Sequence, residues 1–175
     1  VLEHKAREAS RMNNGRPILV EDSGLFINTL DSLPGPFADQ FTNTRGKRTM
    51  LCRMLPQNDR TALFRVGLAL FDGIQVHSWI GKTAGRISGK PIGPDSFGFD
   101  DIFIPDGQKG RQKERTFAQM TESEKDSLSP RRAAIEMFLK NPPDVGFPIY
   151  GLPAPMKMQL DGVRKKELTD PKALK

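Results

Sequence analysis

The alternation between Ala62 and Leu70 constrains this chain more than any other stretch. Ala62, Phe64, Val66, Leu68 and Leu70 recur at every second position, the period of a strand with one face buried. Asp72-Gly73 supplies a hairpin turn, and Val76, Ser78 and Ile80 continue the pattern on a return strand. A chain that commits its middle to a long hairpin must build a sheet around it. Helical spacing before and after the hairpin makes the expected class α/β rather than all-β.

Leu2, Ala6, Ala9 and Met12 are spaced for one face of a helix, and Asn13-Asn14-Gly15 supplies residues that tolerate a left-handed helix end. Pro17-Ile18-Leu19-Val20 suits a buried strand delivering Glu21 and Asp22 at its end, where Ser23-Gly24 turns the chain. Leu33-Pro34-Gly35-Pro36 is a rigid turn, with Pro36 fit for a first helical position. Asn43 or Thr44 caps a helix through Leu55, with Met50, Leu51, Met54 and Leu55 as its apolar stripe. Gly81, Gly85 and Gly89 suggest a bent or bulged strand. Thr121 and Glu124 form a capping box for a short helix carrying Lys125, and Ser129 caps a second with Pro130 at its first position and Ala133, Ala134, Met137 and Phe138 apolar.

Residues 1–140 read as one domain, since 175 residues with 37% apolar content are enough for a single core. Residues 141–175 read as a stiff linker, with five prolines by position 155, followed by a basic tail. The net charge of +6 favours anionic partners, but its excess sits in that tail and in the run from Lys109 to Arg115, where a solvated surface explains it. No basic stripe interleaved with aromatics points to nucleic acid. The lack of any apolar run near twenty residues, or of a charged leader, points to a soluble cytoplasmic protein with no membrane partner. The single cysteine, Cys52, excludes an internal disulfide and reads as a core residue.

Chemistry concentrates in a few places. Residues 97–107, Phe-Gly-Phe-Asp-Asp-Ile-Phe-Ile-Pro-Asp-Gly, read as a ligand-facing loop feeding a buried strand. Gly98 lets backbone approach a ligand, Phe97 and Phe99 can stack on a flat ring, and Asp100 can accept hydrogen bonds from it. Read alone, the same residues also suit an aromatic strand end packed into core. Glu21 and Asp22 are candidate carboxylates for a Mg²⁺ shared with phosphate oxygens, only one of which faces a site easily because neighbouring strand residues point opposite ways. Backbone N–H groups at the Ser129 helix start, with Arg131 in the first turn, suit a polar ligand group. Gly81-Lys82-Thr83 is not a phosphate-binding P-loop, because the glycine required five residues earlier is Val76. His4 and His77, the two histidines, have no partner set for a catalytic triad or a zinc site.

Taken in order, Val20-Glu21-Asp22-Ser23-Gly24-Leu25, Leu33-Pro34-Gly35-Pro36-Phe37, the Phe97 loop, Thr116-Phe117-Ala118-Gln119-Met120, Glu124-Lys125 and Ser129-Pro130-Arg131 resemble the inosine triphosphate pyrophosphatase family, over residues 5–138. The resemblance implies Mg²⁺-dependent hydrolysis of inosine, xanthosine or deoxyinosine triphosphate to the monophosphate and pyrophosphate, by a homodimer. It implies Asp22 as metal ligand and general base, with Ser23, Phe97, Gly98, Phe99, Asp100 and Lys125 as nucleotide-binding residues and Pro130 and Arg131 where the family reads the base. The expected architecture is an elongated mixed sheet flanked by helices, in two lobes with the nucleotide in a cleft between them.

Three departures stand out. The family's Ser-His-Arg is Ser129-Pro130-Arg131 here, so Arg131 must act alone or with backbone groups. The family's aromatic-Asp-Pro is Phe99-Asp100-Asp101, which sets a second carboxylate where it could repel phosphate or recruit metal. The family also opens with a strand, a Ser/Thr-x-Asn-x-x-Lys phosphate loop and a metal-binding glutamate, which do not occur before Val1, so the chain reads as a fragment. A catalytically impaired nucleotide-binding homologue, and after it a basic nucleic-acid-binding protein, are the alternative readings.

Overall fold

The computed structural model describes residues 1–95, 98–109 and 114–143. Phe97, the middle of the basic run after Lys109, most of the proline-rich linker and the tail lie outside the described residues. The elements are α1 (Leu2–Met12), β1 (Ile18–Ile27), β2 (Pro34–Gly35), α2 (Ala38–Thr42), α3 (Arg45–Met54), β3 (Thr61–Phe71), β4 (Val76–Ile87), β5 (Phe103–Pro105), α4 (Glu122–Leu128) and α5 (Pro130–Lys140). Short 3-10 turns span Asn28–Leu30 and Phe117–Gln119. The strands form one sheet in the order β2-β1-β3-β4-β5, with β1–β2 and β4–β5 paired antiparallel. The class is α/β, as the sequence implied, and the central hairpin is β3–β4.

The chain divides into two compact units. The first comprises Val1–Glu21, Gly67–Trp79 and residues 134–143. Its core is Leu19, Leu68, Leu70, Ala134 and Phe138, with Trp79 packed edge-on to Phe138 at 5.0 Å. Asp72 closes the hairpin: its Oδ1 accepts from the amides of Ile74 and Gln75, both at 2.8 Å, and its Oδ2 lies 2.7 Å from His77 Nε2. The Gln75 amide is the main reason its carboxyl is lowered to about 2.

The second unit, Asp22–Val66 with Ile80–Ala133, holds the larger core. Leu25 and Ile27 of β1, Leu51, Cys52 and Leu55 at α3, Phe64 and Val66 of β3, and Phe99, Ile102, Phe103 and Phe117 make it up. Cys52 is 2% exposed, and burial pushes its thiol pKa up, as expected of a core cysteine. Thr44 caps α3, its hydroxyl accepting from the Lys47 amide at 3.2 Å. No helix among the described residues is long and apolar enough to cross a membrane.

Several local expectations give way to tertiary contacts. β1 does not turn at Ser23-Gly24 but runs on to Ile27. Gly24 is needed there because a Cβ would lie 2.8 Å from the Gly35 carbonyl oxygen of β2. Helix α2 starts at Ala38 rather than Pro36, because Pro34 and Gly35 pair with Phe26 and Leu25. The stripe of α3 is rotated: Leu51 and Leu55 are buried, but Met50 and Met54 are exposed, and Arg48 and Cys52 face inward. Met12 and Met137 also face solvent. β4 passes through Gly81 and Gly85 without ending, and a Cβ at Gly85 would stand 2.3 Å from the Ile104 carbonyl oxygen of β5.

Candidate functional site

Within the second unit, four elements and two loops converge on a cavity of about 210 Å³. Ser23 comes from β1 and Phe64 from β3. Gly98, Phe99 and Asp100 come from the segment before β5, Phe117 from the second 3-10 turn, and Lys125 from α4. Ser129 and Arg131, at the start of α5, complete the lining. One wall is aromatic: Phe64 meets Phe99 edge-on at 4.7 Å, and Phe103 stacks behind on Phe117 at 5.6 Å.

The other wall is polar. Lys125 pairs through its ammonium with the Asp100 carboxylate and lies 5.8 Å from the Phe117 ring centroid, within cation–π reach. Helix α4 is held so that Lys125 arrives there. The capping box forms as expected, with the Glu124 amide donating to Thr121 Oγ1 and the Thr121 amide donating to Glu124 Oε2. Glu124 also takes a two-pronged contact from Arg115, at 2.7 and 3.1 Å. That guanidinium is the chief cause of a Glu124 pKa lowered from its ordinary 4.5 to about 2. At the far end, Thr83 Oγ1 of β4 donates to the Leu128 carbonyl at 2.6 Å.

Of the sequence-predicted site residues, the structure thus brings together Ser23, Gly98, Phe99, Asp100, Lys125 and Arg131. Asp22 is half-buried on β1 beside Ser23 and is not among the lining residues; Pro130, between the lining residues Ser129 and Arg131, is buried. Phe97 lies outside the described residues. Phe64, Phe117 and Ser129 were missed as site residues. Phe64 carried only the signature of a core strand, Phe117 only its place in an ordered motif, and Ser129 that of a helix cap opening the Ser129-Pro130-Arg131 motif. The reading of Asp101 as a phosphate-repelling or metal-recruiting carboxylate is overturned: its side chain is 0% exposed and lies 2.7 Å from Arg48 Nε.

Among the described residues, no group of three or more His, Cys, Asp or Glu side chains is placed to hold a metal ion. The acids at hand are Asp22, next to Ser23, and Asp100, already paired with Lys125. That donor set suits a Mg²⁺ ligated mostly by phosphate oxygens and water, which needs only one or two protein carboxylates. With a wall of packed aromatic rings on one side, and an ammonium, a serine hydroxyl and a guanidinium on the other, the cavity suits an apolar ring attached to an anionic group.

Residues 1–141 match the sequence model of the Ham1 family. The chain is 41% identical over 123 residues to a dITP/XTP pyrophosphatase of Saccharolobus solfataricus, covering 70% of this chain and 62% of that protein. It is 38% identical over 124 residues to a dITP/XTP pyrophosphatase of Pyrococcus horikoshii, covering 71% and 64%. The matched region therefore spans less than two thirds of the length of these relatives. Among solved structures, a Ham1 protein from Coxiella burnetii superposes with a TM-score of 0.67 at 30% identity, over 78% of this chain and 72% of that one. The Staphylococcus aureus Ham1 protein shares the fold, with a TM-score of 0.66 at 23% identity, over 79% of this chain and 74% of that one. From the ordered motifs, the α/β fold and a family match running from residue 1 to residue 141, it follows that this chain belongs to the Ham1 family.

Proposed function

We propose that this chain hydrolyses inosine and xanthosine triphosphates, ribo or deoxy, to the monophosphate and pyrophosphate, so that deaminated purines are removed from the nucleotide pool. The observation that carries this reading is the meeting of Phe99, the Asp100–Lys125 pair and Arg131 around one cavity. The names of its Ham1 relatives, dITP/XTP pyrophosphatases, support it.

Each residue has a part that its surroundings suit. Phe99, 5% exposed and packed on Phe64, gives the purine an apolar stretch of wall, and Gly98 lets the ligand approach backbone. Lys125 keeps N–H donors beyond the one given to Asp100 and directs them to phosphate oxygens, where positioning and charge do most of the work of phosphoryl transfer. Arg131 donates towards the 6-oxo group that hypoxanthine and xanthine share. Adenine has a donor at that position, so adenosine triphosphate sets donor against donor there, a basis for rejection. Ser23 donates to a phosphate or sugar oxygen. Asp22 is the carboxylate assigned to hold Mg²⁺ or to take a proton from water. When bound, Mg²⁺ neutralises phosphate charge and lowers the pKa of water.

A second reading, a homologue that binds nucleotide without turning it over, is favoured by one observation, the absence of Asp22 from the cavity lining. Product analysis separates the two. Incubation with inosine, xanthosine or adenosine triphosphate and Mg²⁺ should give monophosphate and pyrophosphate from the first two. Diphosphate and inorganic phosphate, or equal turnover of adenosine triphosphate, would overturn the proposed reaction. The same reading expects a homodimer working in the cytoplasm. Exposed Phe37 and Phe41 at α2 and Met50 and Met54 on α3 offer apolar surface for a second copy, and sedimentation at micromolar concentration checks it.

A further inference from the structure

Arg48 is an unusual charge to find on the inner face of a helix. It is 2% exposed, one turn before the core residues Leu51 and Cys52. Burying a guanidinium is expensive unless every contact is well placed. This one reaches three segments at once. Its Nη1 donates to the Thr42 carbonyl at 2.7 Å, its Nη2 pairs with the Asp95 carboxylate, and its Nε lies 2.7 Å from Asp101 Oδ1. Neither oxygen of Asp101 has a hydrogen-bond donor among the described residues, so Arg48 supplies its counter-charge as an ion pair off hydrogen-bond alignment.

The two acids it grips stand on either side of Gly98, Phe99 and Asp100, the residues that line the cavity. Backbone bonds hold the far side of the same segment. The Ile92 amide donates to the Asp101 carbonyl at 2.7 Å, the Ala118 amide to the Asp100 carbonyl at 3.0 Å, and the Ile102 amide to the Phe99 carbonyl at 3.1 Å. Side-chain charge on α3 and main-chain bonds together fix where the Phe99 ring and the Asp100 carboxylate stand.

We propose that Arg48 is a positioning residue for the nucleotide site: it is not among the residues lining that cavity, but by holding Asp95 and Asp101 it sets the placement of Phe99 and Asp100 against the ligand. This rests on the reading of the cavity as a purine nucleotide site and goes beyond it, since it assigns work to a residue outside the lining. A buried pair can also be retained for stability alone, and the test must separate the two roles.

Arg48→Lys keeps the charge but not the three-way fork. Hydrogen exchange of the whole chain and inosine triphosphate kinetics are compared with the parent. The expected result is exchange about tenfold faster at the Ile92, Ile102 and Ala118 amides, with the β3–β4 hairpin amides unchanged. KM should rise about tenfold with kcat within about threefold, as removal of ground-state and transition-state binding alike requires. Because Arg48→Met alone strands a buried carboxylate and could unfold the chain, the companion variant is Arg48→Met/Asp101→Leu. It should return thermal stability to near the parent while exchange and KM stay raised. Unchanged exchange at those amides, uniform acceleration across the chain, or recovery of KM in the double variant would each overturn the proposal. If the parent neither binds nor hydrolyses inosine triphosphate, the functional reading falls and the exchange pattern still decides the positioning claim.

Discussion

Phe64 joins the fold to the site, so Phe64→Leu should damage both by a calculable amount. The residue is 8% exposed, lines the cavity, and meets three rings nearly at right angles: Phe99 at 4.7 Å, Phe103 at 5.8 Å and Phe117 at 6.1 Å. Leucine keeps most of the apolar burial but none of the edge-to-face geometry. At about 0.5–1.5 kcal/mol per aromatic pair, and with one ring shared among three, the expected loss is about 2–3 kcal/mol. For a chain of this size that is a fall in Tm of about 5–10 °C. Urea unfolding at 25 °C should show an earlier midpoint with an unchanged slope. Phe103 contacts Phe64, Phe99 and Phe117, so Phe103→Leu shares the network. The double substitution should lose less than the sum of the singles. Strict additivity, or a Phe64→Leu loss below about 0.5 kcal/mol, would refute the argument from ring geometry and leave only volume.

Arg60 should be a second strong point. Its guanidinium donates to the carbonyls of Cys52 and Leu55 at the end of α3, at 2.7 and 2.9 Å, and to those of Ile87 and Ser88 at the end of β4, at 2.8 and 2.7 Å. Arg60→Met should cost about 4 kcal/mol in urea unfolding, at about 1 kcal/mol for each of these part-buried bonds, with Arg60→Lys falling between it and the parent. Glu124 gives a pH signature. Its carboxyl is depressed in the folded chain, so its contribution to stability is complete above the ordinary 4.5 and is lost as pH falls towards about 2. Glu124→Gln should therefore flatten the stability profile between those values while leaving its shape near pH 7 unchanged, as followed by thermal unfolding across pH.

The fold was legible where one local signal ruled. Alternation through residues 62–70 with Asp72-Gly73 specified the hairpin, and the Thr121/Glu124 box and Ser129-Pro130 specified two helix starts, because these devices act within a few residues. It was illegible where distant backbone decided. Nothing local says that Ser23-Gly24 continues a strand; the glycine answers to β2, some ten residues further on. The face of α3 was misread because methionine looks like core and arginine like surface, whereas Arg48 is inward only by virtue of Asp95 and Asp101, about fifty residues away. At the site, the polar members stood out through ordered motifs. Phe64 could not, since a core phenylalanine and a pocket phenylalanine share one pattern.

The central claim is that this cavity takes inosine and xanthosine triphosphates in preference to adenosine triphosphate and that Asp22 is needed to cleave them. Pyrophosphate release from inosine, xanthosine and adenosine triphosphates with Mg²⁺, measured for the chain and for Asp22→Asn, tests it most directly. The expected result is release from the first two nucleotides, falling by about a hundredfold or more in the variant while nucleotide binding persists. Binding without release in the parent chain, or release that survives Asp22→Asn undiminished, would contradict it.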